Sequence, residues 1–149
     1  MKAVWVGAGL VVFSVALVAC SGSDTTAPGS STGVNGTWQF QELLSNASLG
    51  LTCADSASIV LTQGGQAFTG TYAQTGVCSQ GGQTGPNDGN GSVTNGVISG
   101  DSVAFNEDIC LYTGTTTGSP PTHMTGTVDC PDTSTGQLID ITGTWIMTR

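Results

Sequence analysis

The chain has 149 residues, only 8% of them charged, and ten acidic residues against two Lys and Arg leave a formal net charge of −8. Neutralising nucleic-acid phosphates takes several cationic side chains, and attraction to anionic lipid takes a basic cluster, so nucleic acid and charge-driven membrane binding are both excluded. Glycine, at 23 residues, is about twice its usual share.

Residues 1–19 read as a signal peptide: Lys2 supplies one positive charge, and residues 4–19 form an apolar run somewhat shorter than the roughly 20 residues of a spanning helix. The run ends in Leu17-Val18-Ala19-Cys20, which resembles the lipobox of bacterial lipoprotein precursors. That resemblance implies cleavage before Cys20, diacylglycerol on its thiol, and a place in the cell envelope where lipid is the membrane partner. Ser21, rather than Asp, follows the cysteine, which in that family goes with the outer membrane. An ordinary secretory signal and an uncleaved anchor are the alternatives. Residues 20–34, rich in Ser, Thr and Gly, read as a flexible tether with a reach of about 20 Å. Residues 35–149 suit one domain.

Within that domain no long stretch carries the helical period, whereas short alternating runs recur between Gly, Asn, Asp and Pro, so the expected class is all-β. The expected strands are 36–44, 57–63, 66–73, 91–95, 97–106, 109–113, 122–129 and 137–148. Gly64-Gly65 and Asn95-Gly96 are the expected two-residue turns, Gly100-Asp101 a bend or bulge, and residues 43–51 the only place for a helical turn. Gly36-Thr37-Trp38, Gly70-Thr71-Tyr72, Gly126-Thr127-Val128 and Gly143-Thr144-Trp145 repeat one pattern, in which Gly and the large residue share a face and Thr takes the other. Inward glycines let a sheet coil tightly, which suits a small antiparallel meander barrel of about eight strands. An open β-sandwich carries the same alternation and is the alternative.

Leu, Ile, Val and Phe fall to roughly 18% once the signal is removed, a level associated with disorder, so covalent help is expected. Assigning Cys20 to lipid leaves Cys53, Cys78, Cys110 and Cys130 for disulfides in an oxidising compartment. A turn at Gly64-Gly65 sets Cys53 opposite Gly76, two positions from Cys78, and a hairpin about Pro120 sets Cys110 opposite Cys130. Cys53 with Cys78 and Cys110 with Cys130 are therefore the preferred pairs, each contributing about 3 kcal/mol in the chain-entropy model.

Gly36-Thr37-Trp38 resembles the Gly-x-Trp that opens the first strand of calycin barrels, the group of lipocalins and avidins. Residues 67–72, Ala67-Phe68-Thr69-Gly70-Thr71-Tyr72, are similar to an avidin third-strand segment. The resemblance implies a calycin-like barrel and gives Tyr72 the place of a tyrosine that hydrogen-bonds biotin in avidins. Phe40 and Leu44 stand where avidins carry polar ligand groups, and Val103, Phe105 and Met124 replace later tryptophans, so biotin itself is not implied. Lipocalins close the barrel base by stacking an arginine on the first-strand tryptophan. Arg149 is placed to lie over Trp38 or Trp145, a solvated terminal residue being the alternative.

His123 is the single histidine, no nucleophile motif accompanies it, and no two carboxylates stand at a defined spacing, so an enzyme is not expected. No cofactor or metal is expected. Zinc would need close cysteine pairs, and neither Asn87-Asp88-Gly89-Asn90 nor the group Glu107, Asp108, Asp129 and Asp132 completes a calcium loop. The expected function is a tethered binding module whose cavity, lined by Trp38, Phe40, Tyr72 and Phe105, holds a small apolar ligand or a peptide. A ligand-free structural or protein-interaction domain of the envelope and a periplasmic protease inhibitor are the alternatives.

Overall fold

The computed structural model describes residues 33–132 and 139–149, and among them there is no helix. The strands are β1 (Gly36–Asn46), β2 (Leu51–Gly64), β3 (Ala67–Gln80), β4 (Gln83–Pro86), β5 (Gly89–Ser99), β6 (Ser102–Glu107), β7 (Cys110–Gly118), β8 (Pro121–Asp132) and β9 (Ile139–Thr148). All neighbours pair antiparallel, β2 pairs both β1 and β3, and β1 meets β9 from Gln39 opposite Thr148 to Ser45 opposite Thr142. Every strand but β4 therefore joins one closed meander of eight, with β4 laid as a short flap on the upper part of β3. Closure excludes the open sandwich.

Period-two alternation decides which side chains meet inside. Trp38, Phe40 and Glu42 of β1 point inward, as do Cys53, Asp55, Ala57, Ile59 and Leu61 of β2, while the residues between them face out. The centre is aromatic. Phe105 stacks on Tyr112 with centroids 4.7 Å apart, Trp145 meets Phe105 edge-on at 5.4 Å, and Phe68 lies 6.0 Å from Phe105. Burying side chains of this kind stabilises by about 2 to 3 kcal/mol each. Small inward residues make room for the large ones: the Trp145 indole occupies the place a Cβ on Gly114 would take, and the Phe68 ring does the same at Gly96.

The two ends differ. At one, the base, the chain enters through residues 33–35. Arg149 lies 4.4 Å over the Trp38 ring and donates to the carbonyls of Pro121 (2.7 Å), Asn35 (2.5 Å) and Gly33 (2.9 Å). Trp38 Nε1 donates to the Val34 carbonyl at 2.8 Å, and Val34 N donates to Gln63 Oε1 at 2.6 Å. Chain entry and chain exit thus seal the base together. The opposite end, the rim, carries both disulfides: Cys53–Cys78 and Cys110–Cys130, with Cα atoms 4.0 and 4.1 Å apart.

Several local expectations are corrected. The β2–β3 turn is Gly65-Gln66, not Gly64-Gly65, because Gly65 takes the left-handed conformation (φ +66°) at the first turn position. The ladder shifts by two, and Cys53 faces Cys78 directly. Asn95-Gly96 is a bulge inside β5, where the Phe68 ring lies against Gly96, and the turn into β6 is Gly100-Asp101. Residues 43–51 hold the end of β1 and a tight turn, with Gly50 N donating to the Ala47 carbonyl at 3.2 Å. The expected strand start at 137 and residues 1–32, with Cys20 among them, lie outside the described residues.

Candidate functional site

Above the aromatic layer the same inward alternation that buries Trp38 and Phe40 delivers Glu42 from β1. It delivers Asp55 from β2, above Ala57, and Glu107 from β6, above Phe105. These three carboxyls keep only 4%, 3% and 4% of their surface exposed. Tyr112, from β7, donates its hydroxyl to Glu42 Oε2 at 3.0 Å. Glu107 Oε1 is buried with no hydrogen-bond partner. Asp55 is better served, for Asn87 Nδ2 lies 3.1 Å from each of its oxygens.

Burial sets the protonation of the cluster. Desolvation raises Glu107 from 4.5 to about 8, with the Glu42 charge adding to the shift and Tyr112 opposing it. Desolvation likewise raises Glu42 from 4.5 to about 7, against the Tyr112 hydrogen bond and with a contribution from Asp55. Burial pushes Asp55 up despite Asn87 and Gln74. It also pushes up Tyr112, assisted by the two glutamates, and Tyr72, assisted by Glu107, Asp108 and Glu42. Among the described residues no basic group answers these acids. Arg149 sits at the base, and His123, opposite Thr117 and Thr148, is at the same end.

Beside the cluster, an open groove of about 450 Å³ at the rim is bordered by Tyr72, Asn90, Gly91, Ser92, Thr94 and Asp108. Tyr72 belongs to both places. It lines the groove and feels the charges of Glu107 and Glu42, and its ring lies where a Cβ on Gly91 would be.

Of the residues expected to line a cavity, Trp38, Phe40 and Phe105 are at most 1% exposed and pack on neighbouring core side chains, so they fill the base and centre. Tyr72 is half-buried at the rim. Trp145 lies in the centre, 6.5 Å from Phe40, and Arg149 covers Trp38, not Trp145. The acids expected to gather near Cys110 and Cys130 separate, Glu107 inside and Asp108 and Asp129 exposed. Asn87 serves Asp55, and Asp88 Oδ1 accepts from Gly76 N at 3.2 Å.

Glu42, Asp55 and Tyr112 were absent from the sequence-based candidates. Parity with Trp38 and Phe40 marks Glu42 as inward, but its meeting with Tyr112, 70 positions away, depends on closure.

No protein-family model matches the chain, and no curated protein matches it. Among solved structures it is similar to an S-type phycobiliprotein lyase from Guillardia theta, at 8% identity and a TM-score of 0.47, covering 78% of this chain and 88% of that one. The exclusion of catalysis drawn from the sequence is corrected here. The interior holds two glutamic acids raised to about 7 and about 8, in the range where general acids and bases work.

Proposed function

We propose that the chain is an envelope lipoprotein, anchored by lipid on Cys20, whose barrel takes a small ligand at its acid-lined rim half. The observation that carries this reading is the pair Glu42 and Glu107, both buried and acting on each other by charge, with Tyr112 donating to Glu42 and Glu107 Oε1 unpartnered. A buried polar group without a partner costs about 1 to 3 kcal/mol, more when charged, and perturbed carboxyls in a concave site are the usual mark of a binding or reacting centre. The anchor fits the same picture: residues 33–35 lie at the base, so the expected tether from Cys20 would join the barrel at the end opposite the acid-lined rim.

The test is native mass spectrometry of the full-length protein extracted from membranes in mild detergent. The expected result is a diacylglyceryl mass on Cys20 and a small molecule retained by the barrel, with Cys20→Ala leaving the membrane fraction. An empty barrel with an unmodified Cys20 overturns the proposal. A second reading, docking to an envelope protein, is favoured by Leu43 and Val77, which are 63% and 53% exposed and flank Ala54 on one outer row.

A further inference from the structure

We propose that the ligand of the rim half is a small organic monocation, an ammonium group on an apolar body, held between Glu107 and Glu42 and admitted past Tyr72. The proposal rests on the ligand-binding reading above and names its chemistry.

Hydrogen-bond bookkeeping points to a donor-rich guest. Once ionised, the two carboxyl groups offer four acceptor oxygens, and Tyr112 brings one hydroxyl proton, which goes to Glu42. Asp55 already has the Asn87 amide, so the deficit is concentrated on Glu107, whose Oε1 has none. An ammonium supplies three donors and the missing positive charge at once. A neutral alcohol would supply one donor and no charge. An anion would meet Glu42, Asp55 and Glu107 with like charge.

The surroundings agree from every strand. Ionisable groups turn toward the cluster from β1 (Glu42), β2 (Asp55), β3 (Tyr72), β6 (Glu107) and β7 (Tyr112), with exposed Asp108 acting on Tyr72 from outside. The inner faces of β5, β8 and β9 bring apolar residues, among them Val93, Val128 and Trp145, while Asp129 and Asp140 are exposed. Among the described residues no group of three His, Cys, Asp or Glu is arranged to hold a metal ion. Tyr72, half-buried at the groove, offers an aromatic ring to the apolar body. The groove of about 450 Å³ is bordered by Tyr72 and Asp108 and not by the acids themselves, so it would hold the apolar body, while Tyr72, which feels the charges of Glu107 and Glu42, stands between it and the cluster.

The experiment is titration calorimetry of the full-length protein in detergent with phenethylammonium, 2-phenylethanol and phenylacetate, which share a body and differ in charge. At about pH 8, where Glu107 ionises, phenethylammonium should bind at least about tenfold more tightly than the alcohol, and phenylacetate should not bind. Because a bound cation favours the ionised carboxyls, binding should release protons, and affinity should fall about tenfold per unit as pH drops below about 8, where Glu107 takes up its proton, and more steeply below about 7, where Glu42 does too. Glu107→Gln, nearly isosteric, should weaken the cation at least about tenfold while the near-ultraviolet dichroism is unchanged. Equal binding of amine and alcohol, or an unaffected Glu107→Gln, overturns the cation assignment and leaves a ligand site standing. Binding of none of the three, together with an empty barrel in native mass spectrometry, overturns both.

Discussion

Replacing Glu107 by Gln should make the protein more stable at alkaline pH and flatten its pH dependence. The carboxyl of Glu107 is raised from 4.5 to about 8, and each unit corresponds to about 1.4 kcal/mol, so its ionisation inside the barrel costs on the order of 5 kcal/mol. Below about pH 4.5 the group is neutral in folded and unfolded chains alike and carries no penalty. Between about 4.5 and 8 the unfolded chain gives up a proton that the folded chain keeps, so stability falls as pH rises, and above that the full penalty remains. Glu42 acts in the same direction between 4.5 and about 7. Against a total stability of about 5 to 15 kcal/mol, this is a large share. With a urea slope of about 2 kcal/mol per molar, the parent's midpoint should drop by about 2 M or more between pH 5 and 9, and Glu107→Gln should remove most of the part due to Glu107. The assay is urea unfolding followed by tryptophan fluorescence at several pH values, with the disulfides intact. A parent midpoint that holds level or rises from about pH 5 to 9, or a variant with the parent's slope, refutes the buried-acid account.

Arg149→Gln should cost about 2 kcal/mol, because it removes the cation over Trp38 and most of the fork that holds three carbonyls. Arg149→Lys keeps the charge without the fork, so thermal unfolding should place it between the two. Converting Cys53 and Cys78 together to alanine opens a loop of sequence separation 25 and should lower stability by about 3 kcal/mol in chemical denaturation. An unchanged midpoint would contradict the cross-link.

The barrel was legible because its strands obey one rule and the large residues sit on the right parity. Trp38 and Phe40 on β1, and Ile59 and Leu61 on β2, alternate with polar residues, and the glycines recur beside bulky neighbours. Pairing of Cys110 with Cys130 followed from a hairpin about Pro120, which the structure has, with Leu111 opposite Asp129. Turn positions were harder to place where glycines adjoin, since Gly64 and Gly65 both permit the required conformation and the neighbouring ladder chooses between them. The upper part of β3 and all of β4 carry Gln, Thr, Ser and Gly inward and outward alike, so no hydrophobic period announces them. The acid cluster was hidden for a different reason. Glu42, Asp55, Glu107 and Tyr112 come from four strands, and only closure of β1 against β9 and of β2 against β3 brings them to one height.

A sheet with so little charge would ordinarily be at risk of joining its neighbours strand to strand, since exposed ladders are templates for aggregation and natural proteins blunt them with lysines or bulges. This chain has one lysine, Lys2, and it precedes the barrel. Its protection is topological: among the described residues β4 is the strand that pairs with a single neighbour, it is four residues long, and it finishes in Pro86, which has no amide proton to offer. A barrel forced open along β1 and β9 would lose that protection at once, so conditions that unzip this seam should produce fibrous association before they produce a fully unfolded monomer.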